Sequence, residues 1–277
     1  MSFQPQIPLA GIAGWRFLER TQPVQQAAFE KGPQLAREIA YFTENVGKIE
    51  TAADLVADRR LLKVALGAFG LSDEIDKKAF VRKVLEEGTT DPKALAMRLT
   101  ETAFREMSDA FGFGAETGRR NAEPGFASGI VAAYKTRAFE SAVGESNNDM
   151  RLAMNLKREI GELAAGEGAS LFKVIGSKPL RQVFEKAFNL PSQFVQLDID
   201  RQVEVFGDKL SKMFGRDDLT VFQDPANVDK LITRFLAISQ IETGAAATSP
   251  ASGALTLLQN ANGGGSQGLF NLLAARG

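Results

Sequence analysis

The densest cluster of side chains that could do chemistry lies in the middle of the chain. Glu140 and Asp149 could form an acid/base or cation-binding pair, with Arg151 holding an anion beside them. A structural interpretation competes with this one. Gly144 is typical of a helix end, and the polar run at 146–149 is typical of a helix start. We favour the structural interpretation, because nothing in the sequence fixes these groups in a pocket.

Two other motifs resemble ligand sites without meeting their requirements. Asp198-x-Asp200 resembles the start of a calcium loop, but the glycine at the sixth position and the glutamate at the twelfth are missing. The glycine-rich segment 112–120 ends in two arginines, yet its spacing matches neither the P-loop nor the dinucleotide fingerprint. We interpret the first as a solvated helical face and the second as a mobile loop with a basic tip.

The chain contains no histidine and no cysteine, which removes several kinds of chemistry. Zinc sites, Ser/His and Cys/His nucleophile pairs and disulfides all need one of these residues. Carboxylate, lysine, tyrosine and hard-cation chemistry remain available. Because no catalytic motif is recognisable, we predict a non-enzymatic protein with no catalytic residues, cofactor or metal. An enzyme that uses carboxylates is the alternative.

The elements that must position these side chains are helices. Apolar residues recur at helical spacing along most of the chain, and no segment alternates with the two-residue period of a strand. This pattern predicts an all-α, multihelical fold. Asp91-Pro92 and Asp224-Pro225 predict helix starts, the first running to about residue 111. A central helical pair is predicted at 124–143 and 148–165, whereas prolines and glycines predict an irregular segment at 1–20.

Parts of the sequence recur after 119 residues. Five positions are identical in this register, aligning Leu61, Val64, Ala68, Phe69 and Leu71 with Leu180, Val183, Ala187, Phe188 and Leu190. Asp91-Pro92 matches Asp224-Pro225 at a shift of 133, which would give the second copy 14 additional residues. We predict an internal duplication: two related helical subdomains bridged by the central pair. Phe69 and Phe188 should then be buried in equivalent places.

The predicted organisation has five parts. They are an irregular segment 1–20, a helical region with the first copy at 21–113, the central pair at 114–169, the second copy at 170–242, and a tail at 243–277.

The predicted tail has an unusual composition. It holds seven glycines, eight alanines and one charged residue, Arg276. We predict that it is flexible and that cutting after Gly244 spares the helical body. Its apolar end is a possible partner-binding element, formed by Leu269, Phe270, Leu272 and Leu273. The alternative is a slack terminus without a function.

Charge and hydropathy narrow the expected partners. The 33 basic and 34 acidic residues nearly cancel, so the basic excess typical of nucleic-acid binding is absent and no nucleic acid is expected. No apolar run reaches the roughly 18 residues of a transmembrane helix. The first positive charge is Arg16, so a cleaved signal is not expected. We predict binding to other proteins, in the cytoplasm or after export without a cleaved signal.

Several short motifs resemble an alphaproteobacterial family known as domain of unknown function 1217. The motifs are Tyr41-Phe42, Ala53-Asp54-Leu55-Val56-x-Asp58-x-x-Leu61, Ala68-Phe69-Gly70-Leu71, Lys83-Val84-Leu85-Glu86-x-Gly88, Phe139-Glu140-x-x-Val143-Gly144 and Met150-Arg151-Leu152-Ala153-Met154-Asn155. The resemblance implies a helical protein, often encoded among flagellar genes, and carries no catalytic residue. It therefore implies a structural or assembly protein of the bacterial flagellum. A cytosolic binding or regulatory module unrelated to motility is the alternative.

Overall fold

The protein is all-α, as predicted. A computed structural model describes residues 3–116, 118–166 and 170–247. Within these residues the chain forms thirteen α-helices and no strand. The helices are α1 Gly11–Glu30, α2 Pro33–Asn45, α3 Ala52–Ala57, α4 Arg59–Ala68, α5 Lys78–Glu87, α6 Leu95–Arg98, α7 Thr102–Phe111, α8 Phe126–Ser146, α9 Asn148–Ala165, α10 Leu171–Ile175, α11 Lys178–Ala187, α12 Ile199–Phe214 and α13 Pro225–Ala247.

The N-terminal segment is more helical than predicted. Helix α1 begins at Gly11 and continues through Pro23, where the sequence predicted irregular chain followed by a helix start. Trp15 and Leu18 are almost completely buried, and this burial outweighs the low helix propensity of the glycines. Glycine is required at position 14, because a Cβ there would lie 2.0 Å from the carbonyl oxygen of Leu9.

The helix predicted from Asp91 to residue 111 is wrong, because the chain breaks twice there. The Asp91 carboxylate accepts the Lys93 N–H in a turn, and only the four residues of α6 follow. Leu99 is extended, and α7 starts anew at Thr102. The Thr102 N–H donates to the carbonyl of Gly176 at 2.9 Å, so a contact with the distant α10 end fixes the second break. The predicted central pair is found as α8 and α9.

The buried apolar side chains form two cores. The first core contains residues of α2 to α7 and the first half of α8, including Phe42 and Tyr134. The second core contains residues of α9 to α13 and the second half of α8, including Phe139 and Phe206. Helix α1 contributes Trp15 to the second core.

Helices α1 and α8 connect the two cores. Phe29 of α1 packs against both cores, and its ring meets that of Phe139 edge-on with centroids 5.7 Å apart. Helix α8 passes from one core into the other along its 21 residues. Each core with the helices around it forms one half of the molecule. Because α1 and α8 contact both cores, the space between the halves is bounded by ordered helices.

The end of α11 repeats the geometry of the end of α4, 119 residues earlier. Leu71 N–H donates to the Leu66 carbonyl at 2.8 Å, and Leu190 N–H donates to the Glu185 carbonyl at 2.9 Å. These bonds span five residues, as in a Schellman turn, which needs a left-handed residue. That residue is Gly70 in the first case, with φ 77°, and Asn189 in the second, with φ 51°. Here the repeated sequence corresponds to a repeated turn.

An arginine repeats as well. Arg137 of α8 donates its Nε–H to the Ala68 carbonyl at 2.7 Å, and Arg234 of α13 does the same to Ala187 at 2.6 Å. Helix α8 packs against α4, and α13 packs against α11. The helix that contacts the repeated turn is thus α8 in the first half and α13 in the second, and α6 makes no matching contact in the part of the chain that the structure describes. The expected match between the two Asp-Pro helices, with its 14 additional residues, is wrong.

The duplication itself stays a prediction, with these repeated features in its favour. The two phenylalanines of the repeat differ in burial. Phe188 is buried at 4% exposure, whereas Phe69 is only partly buried against the first core. The predicted equivalence of the two rings is thus met in position and only partly in burial.

No helix in the described parts of the chain is both long and apolar enough to cross a membrane. Helix α13 runs to Ala247, beyond the predicted boundary at 242. A cut after Gly244 would therefore remove its last three residues. The predicted tail from residue 248 onward, with Leu269, Phe270, Leu272 and Leu273, lies outside the described residues.

Candidate functional site

A wide groove separates the two halves of the molecule. Its volume is about 1240 Å³, and its walls come from α2, α4, α7, α8, α9 and α11. The lining mixes both signs of charge, with Glu38, Arg105, Glu106 and Glu162 among the side chains that face it. We call this space the central groove.

Four charged side chains form a partly buried cluster on the groove wall. Arg137 and Glu140 lie on one face of α8, because they are three residues apart, and Arg158 and Glu159 belong to α9. Arg158 donates to both carboxylate oxygens of Glu140, at 2.7 and 3.0 Å. Glu159 accepts from Arg158 at 2.9 Å and from Arg137 at 3.2 Å. We call these four residues the charge cluster.

Burial acts differently on the two arginines of the charge cluster. Burial lowers the pKa of Arg137, and the neighbouring Arg158 cation lowers it further. Burial also opposes the charge on Arg158, but the hydrogen bonds that Arg158 donates to Glu140 outweigh it and raise the pKa of Arg158. Both arginines stay protonated at any physiological pH. The two arginines therefore serve as permanent cations that tie α8 to α9.

A second polar group also lines the groove. Glu38 of α2 accepts from Tyr134 of α8 at 2.6 Å and from Lys63 of α4 at 2.6 Å. Burial by itself would raise the pKa of Glu38, but the hydrogen bonds from Lys63 and Tyr134 lower it overall. Burial and the Glu38 carboxylate raise the pKa of Tyr134, so its hydroxyl remains a donor.

One buried acceptor on the groove wall has no partner. Asn155 is 6% exposed, and its Nδ2 donates to Glu159 at 3.1 Å. Its Oδ1 makes no hydrogen bond with any described residue. A buried amide oxygen without a donor costs about 1–3 kcal/mol, so Asn155 is a local cost to the stability of the fold.

The predicted group Glu140, Asp149 and Arg151 does not come together as a site. Glu140 pairs with Arg158, and Asp149 lies 4.0 Å from Lys186 on the second core. Arg151 donates to the side-chain oxygen of Asn148, at 2.9 and 2.7 Å.

The favoured structural interpretation of this segment is confirmed at the start of α9 but is wrong for Gly144, because α8 continues through this glycine to Ser146. Asn147 caps the helix, since its side chain accepts the Met150 N–H at 3.2 Å.

The two other motifs have local structural roles. Asp198 accepts the Arg201 N–H at 2.9 Å and caps α12, which shows why an aspartate stands there. In the segment 112–120, Gly112 ends α7 in a left-handed conformation. Arg119 donates to the carbonyl of Ile49, so the expected mobile basic tip is wrong for this residue: it is tied to the first core. The described residues hold no group of three acidic side chains placed to bind a metal.

Sequence reasoning missed the charge cluster. Arg158 and Glu159 are not among the candidate site residues that the sequence suggested. The available signal was Glu140, which is buried beside Phe139 in an otherwise apolar stretch of α8. A buried carboxylate requires a cation, and three arginines in the chain segment around it could supply one. The sequence could not tell which arginine it is.

Comparison with known proteins places the chain in a family. The profile described as "Protein of unknown function (DUF1217)" matches residues 68–228, more than half of the 277 residues. The chain belongs to this family. The resemblance of its short motifs is thereby confirmed. A search of curated proteins gives no match.

One solved structure is similar to this DUF1217 protein over most of its length. It is the crystal structure of a protein from Agrobacterium tumefaciens, with a TM-score of 0.68 and 28% sequence identity. The similarity covers 86% of this chain and 99% of that one. The DUF1217 fold described above is therefore shared with a protein whose structure was determined by crystallography.

Proposed function

We propose that this DUF1217 protein is non-enzymatic and acts through protein–protein contacts in the central groove. The observation that carries the proposal is the size and charge of the groove. Small-molecule sites usually measure about 300–1,000 Å³ and are mostly apolar. The groove measures about 1240 Å³ and is lined by many charged side chains. Such a surface suits a polypeptide segment better than a small metabolite.

We further propose a structural or assembly role associated with the bacterial flagellum. The support is the resemblance to the DUF1217 family, whose members are often encoded among flagellar genes. The alternative is a cytosolic binding or regulatory module unrelated to motility. A gene deletion separates the flagellar role from the cytosolic one. A deletion strain with normal filaments and normal swimming would favour the cytosolic alternative.

A pair of charge reversals tests the groove in the same strain. Arg105 faces the groove, is exposed and takes part in no ion pair among the described residues. Lys93 is similarly exposed and unpaired but does not line the groove. We expect Lys93→Glu to restore swimming to the deletion strain and Arg105→Glu to fail at equal protein level. Equal restoration by both would count against the groove.

A further inference from the structure

A second, smaller pocket lies where α11, α12 and α13 meet. Its volume is about 280 Å³, and its lining residues are Phe188, Lys209, Lys212, Met213 and Arg234. Three of these five side chains are cations and none is a carboxylate. We call it the basic pocket.

The cations of the basic pocket lack acidic partners. Within the described chain, Lys209, Lys212 and Arg234 form no ion pair with any carboxylate, whereas Arg137 and Arg158 of the groove do. Lys230 lies close by, with its Nζ donating to the Met213 carbonyl at 3.1 Å. Four neighbouring cations that form no ion pair among the described residues favour the approach of an anion.

The first half of the molecule shows what covers such a pocket. There, Arg137 caps the end of α4 and also donates to the Glu159 carboxylate at 3.2 Å. Helix α9 brings that carboxylate and packs along α8. Arg234 caps the end of α11 in the same way but donates to no carboxylate in the described residues. Among the described residues, the second half therefore has the capping arginine without the carboxylate that pairs with its counterpart in the first half.

We propose that the basic pocket binds an acidic amphipathic helix of a partner protein. Its carboxylates would pair with Lys209, Lys212 and Arg234, and an apolar side chain would contact Phe188 and Met213. Lys209 and Lys212 are three residues apart on α12, so carboxylates three or four residues apart on a partner helix match their spacing.

The remainder of this chain is not a suitable occupant. The segment after Ala247 contains no aspartate and no glutamate, so it has no side-chain carboxylate to offer. The inference rests on the proposed protein-binding role but uses a surface separate from the central groove.

A direct binding measurement with the purified full-length chain tests the proposal. The probe is a fluorescein-labelled, alanine-based helical peptide with glutamates four residues apart beside a leucine stripe. The matched peptide replaces every glutamate with glutamine. We expect fluorescence anisotropy to show that the glutamate peptide binds. The glutamine peptide should bind at least tenfold more weakly, a difference in binding free energy of about 1.4 kcal/mol.

Variants of the chain locate the contact. Lys212→Gln is the main variant, because Lys212 is exposed and has no partner whose loss would harm folding. This change should weaken binding of the glutamate peptide by about fivefold or more, because a charge-assisted hydrogen bond is lost. Arg234→Gln should act likewise. Lys93→Gln, outside the pocket, should leave binding unchanged.

Three results would overturn the proposal. One is equal binding of the glutamate and glutamine peptides, and another is equal weakening by Lys212→Gln and Lys93→Gln. The third is displacement of the peptide by millimolar phosphate but not by chloride of equal ionic strength, which would indicate a small-anion site. Because the measurement uses purified protein, its failure leaves the swimming test of the proposed function unaffected.

Discussion

At the scale of single residues, the buried carboxylate of Glu140 is paired through both of its oxygens. Glu140 is 6% exposed and receives two parallel N–H bonds from Arg158. A buried pair of this kind often contributes little net stability, because desolvation offsets the attraction between the charges. Removing one partner is different, since the remaining charge stays buried and unpaired.

Arg158→Met should therefore lower the free energy of unfolding by about 3–5 kcal/mol. The double variant Glu140→Leu/Arg158→Met should recover most of the loss, because no unpaired carboxylate remains on α8. Urea denaturation measures all three proteins. Arg201→Met is the matched control: its ion pair with Glu204 is exposed and worth less than about 1 kcal/mol. A double variant as unstable as the single one would contradict this account.

Glu38 gives a pH-dependent prediction. Its pKa is lowered from 4.5 in the folded protein, so its contribution to stability is present above that pH and is lost as pH falls through the folded value. Glu38→Gln should be less stable than wild type at neutral pH, and the gap should close below pH 4.5. Tyr134→Phe removes one donor and should reduce the gap. A gap that stays constant down to acid unfolding would rule out this role for Glu38.

At the scale of elements, the helix ends decide the path of the chain. The turn after α4 needs a left-handed residue, and the sequence provides Gly70 there and Asn189 after α11. Asparagine tolerates this conformation better than most residues, whereas a residue with an ordinary Cβ is strained by about 1–2 kcal/mol. These turns place the arginines of α8 and α13 against the preceding carbonyl ends.

Gly70→Ala should lower the free energy of unfolding by about 1–2 kcal/mol. The cost is one of conformation alone, because the new Cβ would meet only the Arg137 Cδ, at 4.0 Å. Gly129→Ala is the control: it lies inside α8 with open space around it, so the change should stabilise by up to about 1 kcal/mol. Thermal unfolding of the two variants measures both changes in stability. Equal effects of the same sign would show that left-handed strain is not the cause.

At the scale of the whole molecule, two cores share two helices. Helix α8 supplies side chains to both, and Phe29 of α1 contacts both. Loss of either core would expose part of α8 and remove support from the other. We therefore expect the halves to unfold together, although each has its own buried centre.

The single tryptophan allows this coupling to be measured. Trp15 belongs to the second core and Phe42 to the first. Phe42→Ala should cost about 3–5 kcal/mol and shift the fluorescence and far-UV circular dichroism transitions by the same amount. Phe206→Ala, in the second core, should behave alike. Independent halves would give a different result. Phe42→Ala would then leave the fluorescence transition in place and split the circular dichroism transition in two.

The sequence by itself determined the fold class and many helix boundaries, because these depend on local interactions. Helical spacing predicted α8 and α9, and the polar run before α9 predicted the Asn147 cap. The identities 119 residues apart coincide with a repeated turn that backbone bonds and left-handed residues define locally.

Only the tertiary structure decided the features that depend on distant contacts. Burial of Trp15 extends α1 through residues that disfavour a helix, and a bond to Gly176 fixes the break before α7. The partner of Glu140 was equally hidden, because Arg158 is 18 residues away and reaches it only after α8 and α9 pack. Periodicity records which face of a helix is apolar. Which charged residue of the other face becomes buried depends on the neighbouring helix, and the sequence does not specify that contact locally.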